Sequence, residues 1–378
     1  MPHICVPRDS LGVVQALGGL NQCESASLRF SKLLNVPRAG EQTAKSDEIR
    51  DFVSCFNRKR SDDTPAAFRI PEPFLPKNSR TFALRLGGRL IVNHAGGVLE
   101  NVGICLNRNF SCPMIPGSAL KGVARHYAWE LWHAETNPGK KRDAAEKLAE
   151  TFGFPTGDNK LDDFLRTEAP EKYGEKNAAF AGTVAFLDAF PLPQTRPELD
   201  IDVCTCHHPD YYKPKDSRHP KALDDEDPNP QPFPVVDAGV GFCFRLVPLK
   251  PDADLDFAES ALRNALTLNG VGAKTAAGYG WFEENDKISR MLSRAETLAA
   301  SGDSALVAKI LAMKNSELGD FLKKETISDE EKNAFKTALP ELTNGQKNKL
   351  KELWKKGKGA ARRNLSAILG DEAENQFT

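Results

Sequence analysis

A short segment rich in glycine, Asn269–Trp281, limits the fold more than any other part of this 378-residue chain. It follows an amphipathic helix predicted over Asp254–Leu268 and precedes a strand predicted over Tyr279–Glu283, so the chain must turn sharply between them. Glycine lets backbone N–H groups approach an anion, and Lys274 supplies positive charge. A P-loop is excluded, because such loops run from strand to helix and place glycine directly before the lysine. A tight turn without a ligand is the alternative.

The order of predicted elements indicates the fold class. Between residues 79 and 286 the pattern is β-β-α-α-β-β-β-α-β, which is typical of an α+β domain of ferredoxin-like (RRM-like) type with loop insertions. The helices are predicted at Ser118–Trp132, 143–152 and 254–268. Residues 1–78 are expected to form an irregular, partly helical N-terminal region. From 287 to 378 strand signals disappear, and a separate all-helical C-terminal lobe is expected.

The strands of this domain are read from short apolar runs. The first is predicted at Thr81–Leu86 and resumes at 89–93 after a bend at Gly87-Gly88, and the others are predicted at 102–106, 181–186, 201–206, 238–247 and 279–283. Between His207 and Pro234 we expect a long proline-rich insertion without regular structure.

Charge is balanced over the whole chain but unevenly distributed. The net charge is −1, whereas Pro340–Leu369 contains eight basic and two acidic residues, which favours an anionic partner or a solvated helix face there. No apolar run approaches the length of a membrane span, and the N-terminus lacks a secretory pattern. We therefore expect a cytoplasmic protein.

A second segment, Ile115–Arg125, has the signature of a helix start. Pro116 and Gly117 precede Ser118, and free backbone N–H groups at such a start attract anions. Lys121 and Arg125 lie four residues apart on one face, where two cations are unfavourable for the helix dipole unless an anion binds. A solvated helix face is the alternative.

Four motifs in this order resemble the RAMP superfamily of CRISPR-associated proteins. They are Pro116–Arg125, Gly182–Pro191, Asp202–Tyr212 and Gly270–Gly280, and the middle two resemble the family of sixth subunits of the type III-B (Cmr) effector complex. The resemblance implies a ferredoxin-like core that binds the 3′-proximal region of CRISPR RNA beside target RNA and other RAMP subunits. It covers residues 80–283 and gives no account of the C-terminal lobe.

The RNA-binding residues predicted from these motifs are mostly basic residues and glycines. We expect both segments to form one RNA-facing surface. The predicted residues are Gly117, Ser118, Lys121, Arg125, His207, Gly270, Gly272, Lys274, Thr275, Gly278, Tyr279 and Gly280.

Neither a cofactor nor an active site is predicted. Cys204, Cys206, His207 and His208 form a cluster without the second cysteine pair of a zinc site, so strand-face cysteines and a structural or RNA-contacting histidine are favoured. His94, His126, Lys121 and Asp188 show no catalytic spacing. We expect a non-catalytic RNA-binding subunit. A metal-independent RNA endonuclease that processes CRISPR RNA and a protein–protein adaptor are the alternatives.

Overall fold

The structure is a computed structural model that describes most of the chain. The described residues are 12–13, 16, 23, 25–34, 42–59, 75–99, 101–175, 178–192, 195, 197–212, 226–300, 306–307, 310, 313, 315–339, 342, 344–355 and 359–369. They fall into two compact units, Met1–Ser289 and Arg290–Thr378. Within the described ranges no helix combines the length and hydrophobicity that a membrane crossing requires.

Helices and strands alternate in the first unit, whereas the described elements of the second are helices. The helices are α1 Ala26–Lys32, α2 Gln42–Lys59, α3 Gly117–Ala134, α4 Pro138–Phe152, α5 Asn159–Glu168, α6 Pro170–Tyr173, α7 Pro209–Tyr212, α8 Leu255–Leu268, α9 Asp286–Ala300, α10 Asn315–Leu322, α11 Asp329–Ala338, α12 Asn344–Lys355 and α13 Ala360–Leu369. The strands are β1 Arg80–Leu86, β2 Gly153–Phe154, β3 Phe180–Ala181, β4 Val184–Phe186, β5 Phe190–Pro191, β6 Leu199–Cys206, β7 Asn229–Val236, β8 Gly241–Pro248 and β9 Phe282–Glu283.

A five-stranded antiparallel sheet forms the centre of the first unit. Its order is β4-β8-β1-β9, and β5 also pairs with β8. Strand β8 is buried over Gly241–Leu246, a mostly apolar run that also includes the buried Arg245. Helices α3 and α8 pack against each other, and their buried residues join the sheet residues in one core. Phe30 and Phe52 from α1 and α2 belong to the same core. The α+β class predicted from the sequence is confirmed.

Strands β6 and β7 form a separate hairpin-like pair, which corrects the predicted loop over residues 207–234. Residues 213–225 of that insertion lie outside the described residues. The pairing runs from Leu199↔Val236 to Cys206↔Asn229. Prolines occupy every second position of β7, at 230, 232 and 234. Residues at alternate positions direct their N–H groups to the same side of a strand, so one outer edge can lose these donors while the pairing with β6 survives.

Other sequence predictions need smaller corrections. The strands predicted at 89–93 and 102–106 are reduced to isolated bridges, Leu90↔Val236 and Leu106↔Pro113. The run 181–186 is divided between β3 and β4, because β3 pairs with β2 whereas β4 pairs with β8. The last strand covers only Phe282–Glu283, since Tyr279 and Gly280 remain in the turn. Helix α4 begins at Pro138, five residues before its predicted start, with Asn137 as its N-cap.

The second unit has its own hydrophobic core. Helices α10 to α13 contribute buried side chains that include Leu318, Phe335, Leu350 and Leu365. The rings of Phe321 and Phe335 stack at 5.9 Å. Helix α11 starts with a capping box, in which Ser328 and Glu331 satisfy each other's backbone N–H groups.

Candidate nucleic-acid interface

The glycine-rich segment folds tightly against the chain's own backbone. Gly272 and Gly280 have φ of +97° and +68°, which L side chains rarely adopt. A Cβ on Gly272 would lie 2.1 Å from the carbonyl oxygen of Ile91, and one on Gly280 would lie 1.9 Å from that of Val271. Glycine at these two positions is therefore required by the fold itself, whereas a Cβ on Gly278 would meet open space.

Backbone hydrogen bonds attach this segment to the turn that follows β1. The N–H of Ala273 donates to the carbonyl of Ile91 at 2.8 Å, and the N–H of Gly280 donates to that of Arg89 at 2.7 Å. Leu90 and Val236 exchange two backbone hydrogen bonds, so the end of β7 joins the same turn. The glycine-rich segment, the 89–92 turn and the hairpin are thereby held together.

Side chains strengthen this junction through Asp202 on β6. Arg89 donates to Asp202 and to Asp200, each at 2.7 Å, and the hydroxyl of Tyr279 donates to Asp202 at 2.5 Å. Burial raises the pKa of Asp202, but the bonds from Tyr279, the Val203 N–H and Arg89 outweigh it and lower that pKa. Burial and the bond to Asp202 raise the pKa of Tyr279 to about 12. At neutral pH the carboxyl group of Asp202 is therefore ionised and the hydroxyl of Tyr279 is protonated.

Lys274 is the cation that the glycine-rich segment presents to the hairpin. Its backbone is left-handed, with φ of 59°, an unusual conformation for a lysine. Its Nζ lies 3.4 Å from Sγ of Cys204 and 5.5 Å from the centre of the Phe233 ring. Within the described ranges no carboxylate pairs with Lys274, in contrast to Arg89.

His94 lies beside this lysine. Its ring meets Phe233 edge to face at 5.0 Å, and its Nδ1 is buried without a hydrogen-bond partner among the described atoms. Burial, followed by the charges of Lys274 and Lys45, lowers the pKa of His94. The ring is therefore favoured in its neutral form, beside the two cations Lys274 and Lys45.

The other predicted residues of this segment are bound within the protein or exposed. The carbonyl of Thr275 accepts a hydrogen bond from the Trp281 indole at 2.8 Å, and the Tyr279 ring packs near Phe233. His207 is exposed at the end of β6. RNA contacts by these residues stay predictions.

The predicted anion site at the start of α3 already contains a carboxylate. The N–H of Gly117 donates to Oδ1 of Asp188 at 2.7 Å. The N–H groups of Ala119 and Leu120 donate to the carbonyl of Pro116. The expectation of free N–H groups is therefore wrong for these three residues, because Asp188, 71 residues away in sequence, accepts from the first and the Pro116 carbonyl accepts from the other two. Ser118 is exposed on this first turn.

Lys121 and Arg125 differ in their surroundings. Lys121 is half-buried, and burial followed by the charge of Arg125 lowers its pKa. Arg125 donates Nη1 to the carbonyl of Thr156. Asp162 in turn accepts from the hydroxyl of Thr156 at 2.6 Å, which fixes that carbonyl. Part of the Arg125 guanidinium is thus hydrogen-bonded within the protein, whereas no carboxylate among the described residues pairs with the Lys121 ammonium group.

The two segments lie near opposite ends of β1, and their forming one RNA-facing surface stays a prediction. Gly117 packs on the carbonyl of Phe186, and the sheet register places Phe186 beside Leu246 and Leu246 beside Arg80. The carbonyl oxygen of Gly278 instead lies against Gly88, beyond the other end of β1. The six residue steps from Arg80 to Leu86 along the extended strand place these two ends of β1 about 20 Å apart. The strand direction, which the sequence does not specify, sets this distance.

Arg89, Asp202 and Phe233 were not among the predicted site residues. Arg89 and Asp202 are 113 residues apart in sequence, and Phe233 lies within the predicted loop. Spacing alone carries no signal for such a contact. The alternation Asp200, Asp202, Cys204 along β6 was the available clue, because alternate residues share one face of a strand.

The cysteine–histidine cluster is spread along β6 and the turn after it. Cys204 and Cys206 pair opposite Gln231 and Asn229, and His208 lies 3.9 Å from Glu226. Across the described part of the chain, no group of three or more histidine, cysteine, aspartate or glutamate residues is arranged to hold a metal ion.

Comparison with known proteins identifies the family of the first unit. A family model of the RAMP superfamily matches residues 85–283, which is more than half of the chain and includes the glycine-rich segment and the last two residues of β1. This chain belongs to the RAMP superfamily. The match ends before the second unit begins.

Two curated relatives carry the same subunit name. The CRISPR system Cmr subunit Cmr6 of Pyrococcus furiosus is 30% identical over 222 residues, covering 51% of this chain and 64% of the relative. Cmr6 of Saccharolobus solfataricus is 26% identical over 188 residues, covering 50% of each chain. The RAMP chain thus spans less than two thirds of either relative's length, and it resembles the sixth subunit of the type III-B complex as the motifs predicted.

Two solved structures are similar to part of this chain. A chain of the type III-B Cmr-beta complex bound to cognate target RNA is 17% identical, covers 66% of this RAMP chain and 77% of its own length, and gives a TM-score of 0.42. The crystal structure of Cmr6 from Pyrococcus furiosus is 26% identical and gives a TM-score of 0.31. The match covers 55% of this chain and 98% of the Cmr6 chain.

Proposed function

We propose that this chain is a non-catalytic RNA-binding subunit of a type III-B CRISPR effector complex. It would bind the 3′-proximal region of CRISPR RNA and help to hold target RNA beside other RAMP subunits. The observation that carries this proposal is the position of Lys274. A lysine without a carboxylate partner in the described ranges lies on a rigid turn within the RAMP-matched region.

The arrangement of the sheet supports a ferredoxin-like core for this function. Taking β1, β4, β8 and β9 as its four strands, the chain order is β-α-β-β-α-β, with α3 and α8 as the two crossover helices. This is the split βαβ pattern of ferredoxin-like domains, which include RNA-binding folds. The β6–β7 pair is then an insertion between the second and third strands, beside Lys274.

Phosphate contacts suit a subunit that must accept guide RNA of any sequence. A lysine is a point charge that binds phosphate without reading bases. Lys121, on the half-buried face of α3, would add a second contact about 20 Å away. His207, Thr275 and Ser118 would contribute hydrogen bonds to the same RNA.

The test is RNA binding by the purified full chain carrying Lys274→Ala. Affinity for unrelated single-stranded RNAs should fall by similar factors of roughly three to ten, and the salt slope should flatten by about 0.7. Lys250→Ala is the matched control, because it removes one exposed lysine beyond the other end of β8. Unchanged affinity and slope in folded Lys274→Ala would refute the assignment of this site.

We further propose that the chain does not cleave RNA by itself. His94 packs on Phe233, His126 lies 3.3 Å from Glu130, and Asp188 caps α3, so these three groups have separate structural partners. Repeat RNA and complementary target RNA, incubated with the protein with and without Mg²⁺, should stay intact. Cleavage that His94→Ala or His126→Ala abolishes would favour the endonuclease alternative.

A further inference from the structure

The last two helices of the second unit carry a local excess of positive charge that the RAMP match does not explain. The match ends at residue 283, whereas Arg290–Thr378 forms a compact unit with its own buried core. Helices α12 and α13 hold six basic residues and one acidic residue, Glu352. The neighbouring residues Lys356 and Lys358 lie outside the described residues.

The basic residues of α12 follow its buried stripe. Gln346, Leu350 and Trp354 are buried at intervals of four residues, and a lysine follows each of them directly. Four residues advance a helix by about 6 Å and slightly more than one turn. The three lysines therefore form a row beside the core, in which Lys347 is half-buried and the next two are exposed. These lysines are Lys347, Lys351 and Lys355.

A contact between the two helices extends this row onto α13. The guanidinium of Arg362 lies over the Trp354 ring at 5.0 Å from its centre, so α13 begins beside the end of α12. Arg362 and Arg363 are both exposed. We call Lys351, Lys355, Arg362 and Arg363 the basic patch.

Among the described residues, the patch has no carboxylate partner, whereas several other lysines of the unit do. Glu352 pairs with Lys349 at 3.0 Å, and in the described part of the chain no carboxylate pairs with a residue of the basic patch. Elsewhere in the unit, two lysines of the turn between α10 and α11 and one lysine of α11 are paired with acids. These pairs are Lys323–Asp320, Lys324–Glu331 and Lys332–Asp329. Repulsion between like charges held close together opposes folding, and a bound polyanion reduces that repulsion.

We propose that the basic patch is a second RNA-binding surface, which contacts the phosphate backbone of a single RNA strand. Guanidinium groups match phosphate oxygens with paired hydrogen bonds, and the lysine row adds point charges along the strand. Such contacts are independent of base sequence. The proposal goes beyond the function inferred for the RAMP-matched region, since it concerns residues outside the match.

The test compares the full chain with a triple variant, Lys351→Gln, Lys355→Gln and Arg363→Gln. Arg362 is retained because it packs on the buried Trp354. Affinity for an unstructured single-stranded RNA should fall roughly tenfold, and the salt slope should flatten by about 2 for three lost phosphate contacts. The matched control, Lys323→Gln, Lys332→Gln and Lys336→Gln, removes three charges from the same unit and should change neither quantity appreciably. Thermal unfolding establishes that both variants fold.

Several results would overturn the proposal. Unchanged affinity and slope in the folded patch variant would do so, and so would equal losses in the patch and control variants. Single-stranded DNA of the same sequence distinguishes the source of the phosphate: a loss confined to DNA overturns the assignment to RNA, and a loss seen with RNA supports it. Loss of poly-glutamate binding with intact RNA binding would identify an acidic protein as the partner instead. Repeating the measurement with Lys274→Ala separates the two sites, because only a failure of the patch variant bears on this proposal.

Discussion

The hydroxyl of Tyr279 donates a hydrogen bond of 2.5 Å to Oδ2 of Asp202, and this bond joins the glycine-rich segment to the β6–β7 pair. The two residues are 77 positions apart in sequence. Asp202 also accepts a hydrogen bond of 2.7 Å from Arg89, so one carboxylate connects three separate parts of the first unit. Lys274 is therefore held beside Cys204 by a junction that does not depend on bound RNA.

Tyr279→Phe should weaken this junction. It removes one hydrogen bond to a partly buried carboxylate and should lower the free energy of unfolding by about 1 kcal/mol. Tyr212→Phe is the control, because Tyr212 is 71% exposed and should be neutral. Urea denaturation of the first unit measures both. Equal stability of the two variants would show that Arg89 alone maintains the junction.

The glycines of the segment should differ sharply in their response to alanine. Gly272→Ala places a Cβ 2.1 Å from a backbone carbonyl at positive φ and should cost about 3 kcal/mol. Gly278→Ala meets open space at φ of +90° and should cost about 1 kcal/mol from strain alone.

Gly122 provides a control of opposite sign. It is exposed in α3 with no neighbour within 4 Å, so Gly122→Ala should stabilise by about 0.5–1 kcal/mol. Chemical denaturation of the three variants gives the ranking. Similar costs for Gly272→Ala and Gly278→Ala would contradict the packing against Ile91.

These glycines also show what the sequence can and cannot predict. Amphipathic periodicity located α3 and α8, because buried residues recur at helical spacing whatever their partners are. Prolines concealed β7, since sequence patterns treat proline as a strand breaker without knowing which edge is unpaired. The capping of Gly117 by Asp188 and the Arg89–Asp202 pair arise from chain reversals across the sheet. Local patterns do not encode such contacts, so the separation of the two predicted segments appeared only in the structure.

His94 should make stability depend on pH. Its pKa is lowered below the ordinary value of 6.5, so the unfolded chain binds the proton more readily than the folded chain. Stability should be complete above about pH 6.5 and decline as pH falls below it, by at most about 1.4 kcal/mol per pH unit for one proton. Urea unfolding between pH 7.5 and 5 should show a weaker decline for His94→Gln. The exposed His207→Gln should retain the full decline, and an unaltered slope in His94→Gln would exclude this residue as its source.

Lys121 and Lys274 should contribute independently to RNA binding. They lie near opposite ends of β1, about 20 Å apart, and residues so distant usually add within about 0.5 kcal/mol. The RNA affinity of the double alanine variant, measured by fluorescence anisotropy titration, should fall by the product of the two single fold-changes. Lys121 and Arg125 share one helix face, where the charge of Arg125 helps to lower the pKa of Lys121, so these two should instead be non-additive. A strong coupling between Lys121 and Lys274 would indicate that they bind one phosphate group.

Ile288 should anchor the start of α9 to the first unit. Its side chain is 4% exposed and packs so closely on Gly241 that a Cβ there would lie 2.8 Å from Cδ1 of Ile288. Ile288→Ala should therefore cost about 3 kcal/mol, whereas its exposed neighbour Lys287→Ala should change stability by less than about 0.5 kcal/mol. A truncation that removes 287–378 loses this contact, but one that removes 301–378 keeps it. Thermal unfolding should thus show a lower midpoint for the longer deletion, and equal midpoints would mean that the sheet tolerates the loss of Ile288.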